Sequence, residues 1–328
     1  MRRSQAGRAV AGTLAAAAVL TLAGCGSPGA DPRGLGVVSP EPRCLSAMPR
    51  YGAEPSTPSG TSTAPHPSGT PSPVPATEGT EKDGVRITGL YGGSSGGTGT
   101  DCAPSAAPVA EFEVTNSGAA AMTYTVTFSF GGFSNAEQVV GPVGPGRTLR
   151  GTVPLDRAAP GDGHGGTRVS ILKVRSVPTD EAPSQSGPCP ASGVRLYADQ
   201  GDAAMGLRAV GLHLENCGKT AYTLSGRPRL QILDADHSPV DEVRIVPPSE
   251  ITVSDGPDGT ARPLTLAPGE RAQAGLVWRN TVDASDGAVD APYVRVWAGP
   301  GAHPVMLTPE LDLGTTGRLG VHAWQKER

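Results

Sequence analysis

Leu212-His213-Leu214-Glu215-Asn216-Cys217-Gly218-Lys219-Thr220-Ala221-Tyr222-Thr223-Leu224-Ser225-Gly226-Arg227-Pro228 reads as a strand, a turn at Asn216-Cys217-Gly218 and a return strand stopped at Gly226. Asn and Gly tolerate positive φ, so this turn between alternating apolar runs is a hairpin or an inter-sheet corner. One hundred residues earlier the chain repeats the phrase as Phe112-Glu113-Val114-Thr115-Asn116-Ser117-Gly118 followed by Met122-Thr123-Tyr124-Thr125-Val126. Each copy later carries a Pro-Gly turn into a strand, at Pro145-Gly146 and at Pro268-Gly269. The pattern predicts two related all-β domains in tandem.

Working outward, residues 84–178 hold candidate strands at Val85–Tyr91, Val109–Thr115, Met122–Phe130, Glu137–Val140, Thr148–Leu155 and Val169–Val177. In the third, Met122, Tyr124, Val126, Phe128 and Phe130 alternate strictly with Thr123, Thr125, Thr127 and Ser129. Period two means one buried and one polar face, as in an antiparallel sheet. Residues 189–326 repeat the pattern, with candidates at Val194–Ala198, Leu207–Glu215, Tyr222–Leu224, Arg229–Leu233, Val243–Val246, Arg271–Trp278, Tyr293–Ala298 and Val305–Leu307. Short strands at this spacing, with no helical period between them, predict two immunoglobulin-like β-sandwiches.

The N-terminus is of another kind. Arg2, Arg3 and Arg8 precede an apolar run from Ala9 to Leu20, too short for a bilayer span and right for an export signal over residues 1–24. Leu22-Ala23-Gly24-Cys25 resembles the lipobox of bacterial lipoproteins. That resemblance implies that Cys25 is diacylated and becomes the first mature residue. Each buried acyl methylene adds about 0.8 kcal/mol, so two or three chains anchor firmly. Nothing downstream is apolar enough to span a bilayer. The expected location is therefore the extracytoplasmic side of the cell membrane, held by lipid.

Residues 25–83 are expected to form a disordered linker. Pro55, Pro58, Pro65, Pro67, Pro71, Pro73 and Pro75 punctuate a Ser/Thr/Gly tract that buries too little apolar area to offset ordering entropy. At about 3.1 Å per residue a partly extended tract from Tyr51 to Glu81 would reach about 100 Å. Such a stalk lifts the folded part off the membrane and through the wall. Charged residues are 18% and aromatic residues 4% of the chain, and the net charge is only −4, which speaks against a nucleic-acid partner.

The second half carries a more specific likeness. Cys189-Pro190, Gly206, Asn216-Cys217-Gly218, Thr223-Leu224, Gly226-Arg227-Pro228, Leu266-Ala267-Pro268-Gly269 and Trp278 resemble the domain of unknown function 4232 family over residues 189–324. That resemblance implies an exported, actinobacterial setting, with which the Arg-, Ala- and Gly-rich composition agrees. It implies no activity. Many members carry a further Cys pair in the later half, whereas this chain has no Cys after Cys217.

With Cys25 lipidated, Cys44, Cys102, Cys189 and Cys217 remain in an oxidising compartment, and four cysteines allow three pairings. Cys189 precedes the first strand of its domain and Cys217 ends the second. If those strands run antiparallel, both sulfurs arrive at one end of the sheet, which favours Cys189–Cys217. Cys44–Cys102 follows by elimination.

Motifs that suggest chemistry find no supporting context. Gly92-Gly93-Ser94-Ser95-Gly96 fits G-x-S-x-G, but that nucleophile needs a strand-to-helix elbow and here sits in a Gly/Ser loop. Gly218-Lys219-Thr220 ends like a phosphate-binding loop, yet His213 stands where its first Gly belongs. Asp234, Asp236 and Asp241, like Asp255 and Asp258, lack EF-hand spacing and read as polar turns. The six His show no pairing for zinc or copper, so no metal and no cofactor is expected. His213 is expected to point outward, opposite Leu212 and Leu214.

One surface is a candidate for binding. In Tyr293-Val294-Arg295-Val296-Trp297, period two puts Tyr293, Arg295 and Trp297 on one face. If the valines face the core, two aromatics flank a guanidinium on an open platform suited to a sugar ring or a partner protein. The sequence thus predicts a non-catalytic envelope lipoprotein that displays its domains for binding or scaffolding. Its expected partners are the membrane, through its anchor, and wall glycan or an envelope protein. A glycan-binding module is the first alternative. An accessory or cryptic enzyme is the second, and a cavity gathering Asp241, Glu242 and His237 would favour it.

Overall fold

The alternation seen in the sequence becomes paired strands throughout. The structure is a computed structural model that describes residues 70–74, 76, 79–91, 108–130, 134–155, 169–224, 226–252, 261–282 and 287–327. The leader, Cys25, Cys44, Cys102, the 92–96 motif, Asp255 and Asp258 lie outside the described residues. Among those described there is no α-helix, and the chain is mostly β-strand in several antiparallel sheets.

The first strands are β1 (Ser72–Pro73), β2 (Glu81–Lys82), β3 (Val85–Tyr91), β4 (Val109–Thr115), β5 (Met122–Phe130), β6 (Ser134–Val143), β7 (Thr148–Pro154) and β8 (Val169–Pro178). A 3₁₀ turn at Thr179–Glu181 follows. Next come β9 (Val194–Ala198), β10 (Asp202–Ala204), β11 (Leu207–Asn216), β12 (Tyr222–Leu224), β13 (Arg229–Leu233), β14 (Arg244–Val246) and β15 (Leu264–Leu266). The last are β16 (Arg271–Arg279), β17 (Asp290–Ala291), β18 (Tyr293–Trp297), β19 (Val305–Leu307), β20 (Leu311–Asp312), β21 (Arg318–Val321) and β22 (Gln325–Lys326).

Two of these strands correct the linker boundary. Residues expected to be disordered as far as 83 instead supply β1, which pairs Ser72 with Leu90, and β2, which pairs Lys82 with Val85. Asp83 and Gly84 turn the β2–β3 hairpin at φ 47° and 77°. An Asp-Gly pair suits this turn because both central residues need positive φ. A Cβ on Gly84 would meet the Thr115 carbonyl oxygen at 2.6 Å, so glycine is required there.

The pairings repeat along the chain. In the first half β3, β4 and β7 form one antiparallel run, and β6, β5 and β8 form another. In the second half β9, β11 and β16 pair as β3, β4 and β7 do. There β12 pairs β15 and β13 pairs β18, so β12 and β13 divide the role of β5. The parallel contact of β14 with β21 is the exception among the described pairings.

Each set encloses its own core. Val85, Ile87, Phe112, Val126, Phe128 and Ile171 lie in one buried cluster, where the Phe112 and Phe128 rings sit 4.8 Å apart. Gly151 lets them in, since a Cβ there would meet Phe112 at 2.6 Å. Leu212, Leu214, Leu276, Trp278, Val294 and Val296 belong to the second cluster. Burying a large apolar side chain stabilises by about 1.5–3 kcal/mol, so these inward faces fix the register. A third, smaller cluster joins Val177 and Ala182 to Leu233, Tyr293 and Met306.

Candidate functional site

The strand expected to carry an open aromatic platform is β18, and its period is as read. Val294 and Val296 are fully buried in the core, so Tyr293, Arg295 and Trp297 do point the other way. That other face is covered, which corrects the expectation. Tyr293 is only 3% exposed. Ser176 N donates to its hydroxyl at 3.1 Å, and the His237 ring meets it edge-on at 4.4 Å. His237 Nε2 donates in turn to the Ser176 carbonyl at 2.9 Å. Arg295 donates to Glu181 at 2.6 Å and to Gln231 at 3.0 Å. Trp297 remains half-buried with the Arg229 guanidinium 3.7 Å over its ring, so one stacking face is already taken. The covering residues come from two places, Ser176 and Glu181 on β8 and the turn after it, and Arg229, Gln231 and His237 on β13 and the turn after it, and no local pattern in β18 announces either.

This face is therefore a joint between the two sets of strands. A two-pronged polar link across it joins Arg175 to Glu310, with Nε on Oε1 at 2.8 Å and NH2 on Oε2 at 2.7 Å. Lys173 reaches the same carboxylate at 3.2 Å. Burial alone would lower the Arg175 pKa, but the Glu310 bonds and charge outweigh it and hold the guanidinium above its ordinary range. Glu310 adopts φ 56°, a left-handed conformation that a non-glycine residue holds only when its surroundings fix it.

A cleft of about 480 Å³ opens beside the joint. Arg175 reaches it from β8, while the turn into β10, the start of β11, and residues 290–292 and 309–312 supply the other walls. Asp312 organises one wall. It accepts from Trp278 Nε1 at 2.7 Å, Asn280 Nδ2 at 3.0 Å and Arg208 NH2 at 3.2 Å. Gln200, Asp202 and Asp290 also line the space. Its volume falls in the range of ligand sites, and its polar groups converge from separate segments.

The remaining sequence candidates are placed as follows. Cys189 and Cys217 form a disulfide with Cα atoms 5.7 Å apart, at the end where Asn216 pairs with Val194. His213 points away from buried Leu212 and Leu214 and lies between Asp199 at 3.3 Å and Glu327 at 3.0 Å, stacked on Tyr197. Asp234 caps its own turn by accepting from Asp236 N and Ser238 N. Asp241 and Glu242 are exposed, and neither they nor His237 line the cleft. Among the described residues no group of three or more His, Cys, Asp or Glu is arranged to hold a metal ion. No helix among them is long and apolar enough to cross a membrane.

Fold and site together define a mostly β protein with a pairing scheme used twice, a polar joint and a mixed-charge cleft. Residues 189–325, about two fifths of the chain, match the family described as Domain of unknown function (DUF4232) and form a domain of that family. No curated protein matches the chain.

Proposed function

We propose that this chain is a non-catalytic lipoprotein of the cell envelope, displaying two immunoglobulin-like sandwiches on a lipid-anchored Pro-rich stalk for binding or scaffolding. The observation that carries the reading is the joint, where Arg175, Glu310, Ser176, Tyr293 and Arg295 turn two small β units into one body. A rigid pair of sandwiches suits display of a surface at a fixed angle, and open antiparallel faces with intervening loops are where such folds bind. The lipobox-like Leu22-Ala23-Gly24-Cys25 and the Pro-rich tract support the anchor and stalk. An actinobacterial setting fits the same reading.

The test has two arms. Metabolic labelling with a clickable palmitate analogue should tag the intact chain and leave Cys25→Ala unlabelled in a soluble fraction. Cross-linking capture of the lipoprotein from its native envelope should recover a reproducible partner. Labelling of Cys25→Ala equal to the parent sinks the anchor, and a catalytic turnover traced to the purified chain sinks the non-catalytic reading.

A further inference from the structure

We propose that the cleft beside the joint receives an extended, basic segment of a partner protein, laid as an added strand along the outer edge of β10. This rests on reading the chain as a binding module and names the partner's chemistry. The edge is available: β10 pairs with β11 alone, at the end of its sheet. Met205 and Gly206 form the connecting turn at φ 48° and 79°, and Ala204 pairs with Leu207 across it. In a two-residue hairpin the pair flanking the turn exchanges hydrogen bonds, and the next pair does not. Ala203, paired with Arg208, therefore aims its N–H and C=O outward, and Ala203 is a cleft residue. Strand addition at such an edge takes affinity from the main chain and specificity from alternate side chains.

Charge decides which side chains. The cleft is lined by Asp202, Asp290, Glu310 and Asp312 against Arg175 and Arg208. Arg175 is committed to Glu310 and Arg208 to Asp312. Among the described residues no basic side chain pairs with the exposed Asp202 or Asp290, so the lining carries an excess of two negative charges (four carboxylates less two guanidiniums), offset in part by Lys173 on Glu310. A Lys or Arg on the incoming strand supplies the complement. Met205, fully exposed at the hairpin tip, offers an apolar contact where that strand leaves the cleft.

The experiment uses the full chain and a fluorescein-labelled peptide of alternating Val and Lys, followed by anisotropy, with a Val/Glu peptide as control. The Val/Lys peptide should bind, weaken with salt, and lose about tenfold or more in affinity to Asp202→Asn/Asp290→Asn. Ala203→Pro should weaken it similarly, because it removes an outward N–H and leaves the hairpin's own bonds in place. Equal binding of both peptides, or no effect of either variant on a protein with unchanged circular dichroism, overturns the proposal. Binding of wall oligosaccharides that the same variants abolish would reassign the cleft to glycan. If envelope capture still recovers a partner with the Asp variants, the binding-module reading stands and the cleft assignment alone falls.

Discussion

Asn116 and Asn216 hold the same five hydrogen bonds, one hundred residues apart. Each accepts a glycine N–H two residues on through Oδ1, from Gly118 at 2.8 Å and Gly218 at 3.1 Å. Each donates through Nδ2 to the carbonyl four residues on, Ala120 or Thr220, and to a distant one, Val143 or Leu266. The backbone repeats as well: Asn116 is bracketed by Arg147 O and Gly146 N, and Asn216 by Glu270 O and Gly269 N. The Asn-x-Gly and Pro-Gly phrases of the sequence thus meet in space, twice.

Both side chains are 1% exposed, so Asn116→Ala or Asn216→Ala leaves buried carbonyls without donors. Each should cost about 2–4 kcal/mol, and Asp at either place should cost more, because a carboxylate would face two carbonyls. Equilibrium urea unfolding checks this. All three Trp lie after residue 270, so fluorescence reports Asn216 and far-UV circular dichroism is needed for Asn116. A loss below about 0.5 kcal/mol at both sites would remove the clip as a stabilising feature.

The disulfide belongs to one copy only, since Ser117 stands where the other has Cys217. Closing a separation of 28 residues stabilises by about 3.6 kcal/mol through the unfolded chain. Reduction, or Cys189→Ala/Cys217→Ala, should lower the tryptophan-detected midpoint by that measure, and the circular dichroism transition should move with it, because the joint couples the two halves. A loss confined to the tryptophan signal would show that the joint does not couple them.

Glu310→Ala tests that joint. It removes both Arg175 bonds and the Lys173 contact, and should cost about 1–2 kcal/mol for a pair this accessible. The sharper readout is cooperativity: the circular dichroism and fluorescence transitions should coincide in the parent and separate in the variant. Tyr293→Phe should act in the same direction by about 1 kcal/mol, since it strips the acceptor from Ser176 N. Coincident transitions in both variants would mean that the apolar cluster of Val177, Leu233 and Met306 suffices.

Where the sequence was legible, a local pattern carried the whole reason. Met122–Phe130 alternates without a break, and Tyr124, Val126, Phe128 and Phe130 are buried as the period requires, with Met122 at the strand's start only partly covered and Ser129 buried against the pattern. The disulfide followed from strand direction alone. The short elements β10, β15, β17, β20, β21 and β22 span two to four residues, too few to show a period, and were missed. Asp83-Gly84 was a readable hairpin turn, passed over because the Pro-rich tract before it suggested disorder. Tyr293 fails for a different reason. Its facing was correct, but what covers it comes from Ser176 to Ala182 and from Leu233 and His237, and long-range packing leaves no mark on five residues of one strand. The cleft draws on Arg175, Arg208, Trp278 and Asp312, whose convergence no spacing encodes.

The C-terminal strand offers a pH test with a determined sign. β22 lies against β16, and Lys326 Nζ meets Glu270 Oε1 at 2.6 Å while Ala267 N donates to Oε2 at 2.8 Å. The Lys326 bond first, and the Ala267 N–H second, hold the Glu270 carboxyl below its ordinary range. A folded-state value lower than the unfolded one means that the stabilisation is present above the unfolded carboxylate range, about 4.3, and is lost as pH falls through the lowered value. Between pH 5 and 8, roughly, the tether should therefore be constant, and β22 should loosen only in stronger acid. Amide exchange at Lys326 and Glu327, corrected for intrinsic rates, should rise there in the parent, whereas Glu270→Gln should be loose from the start and lack the acid step. An acid step of the same size in Glu270→Gln would assign the transition to another carboxylate.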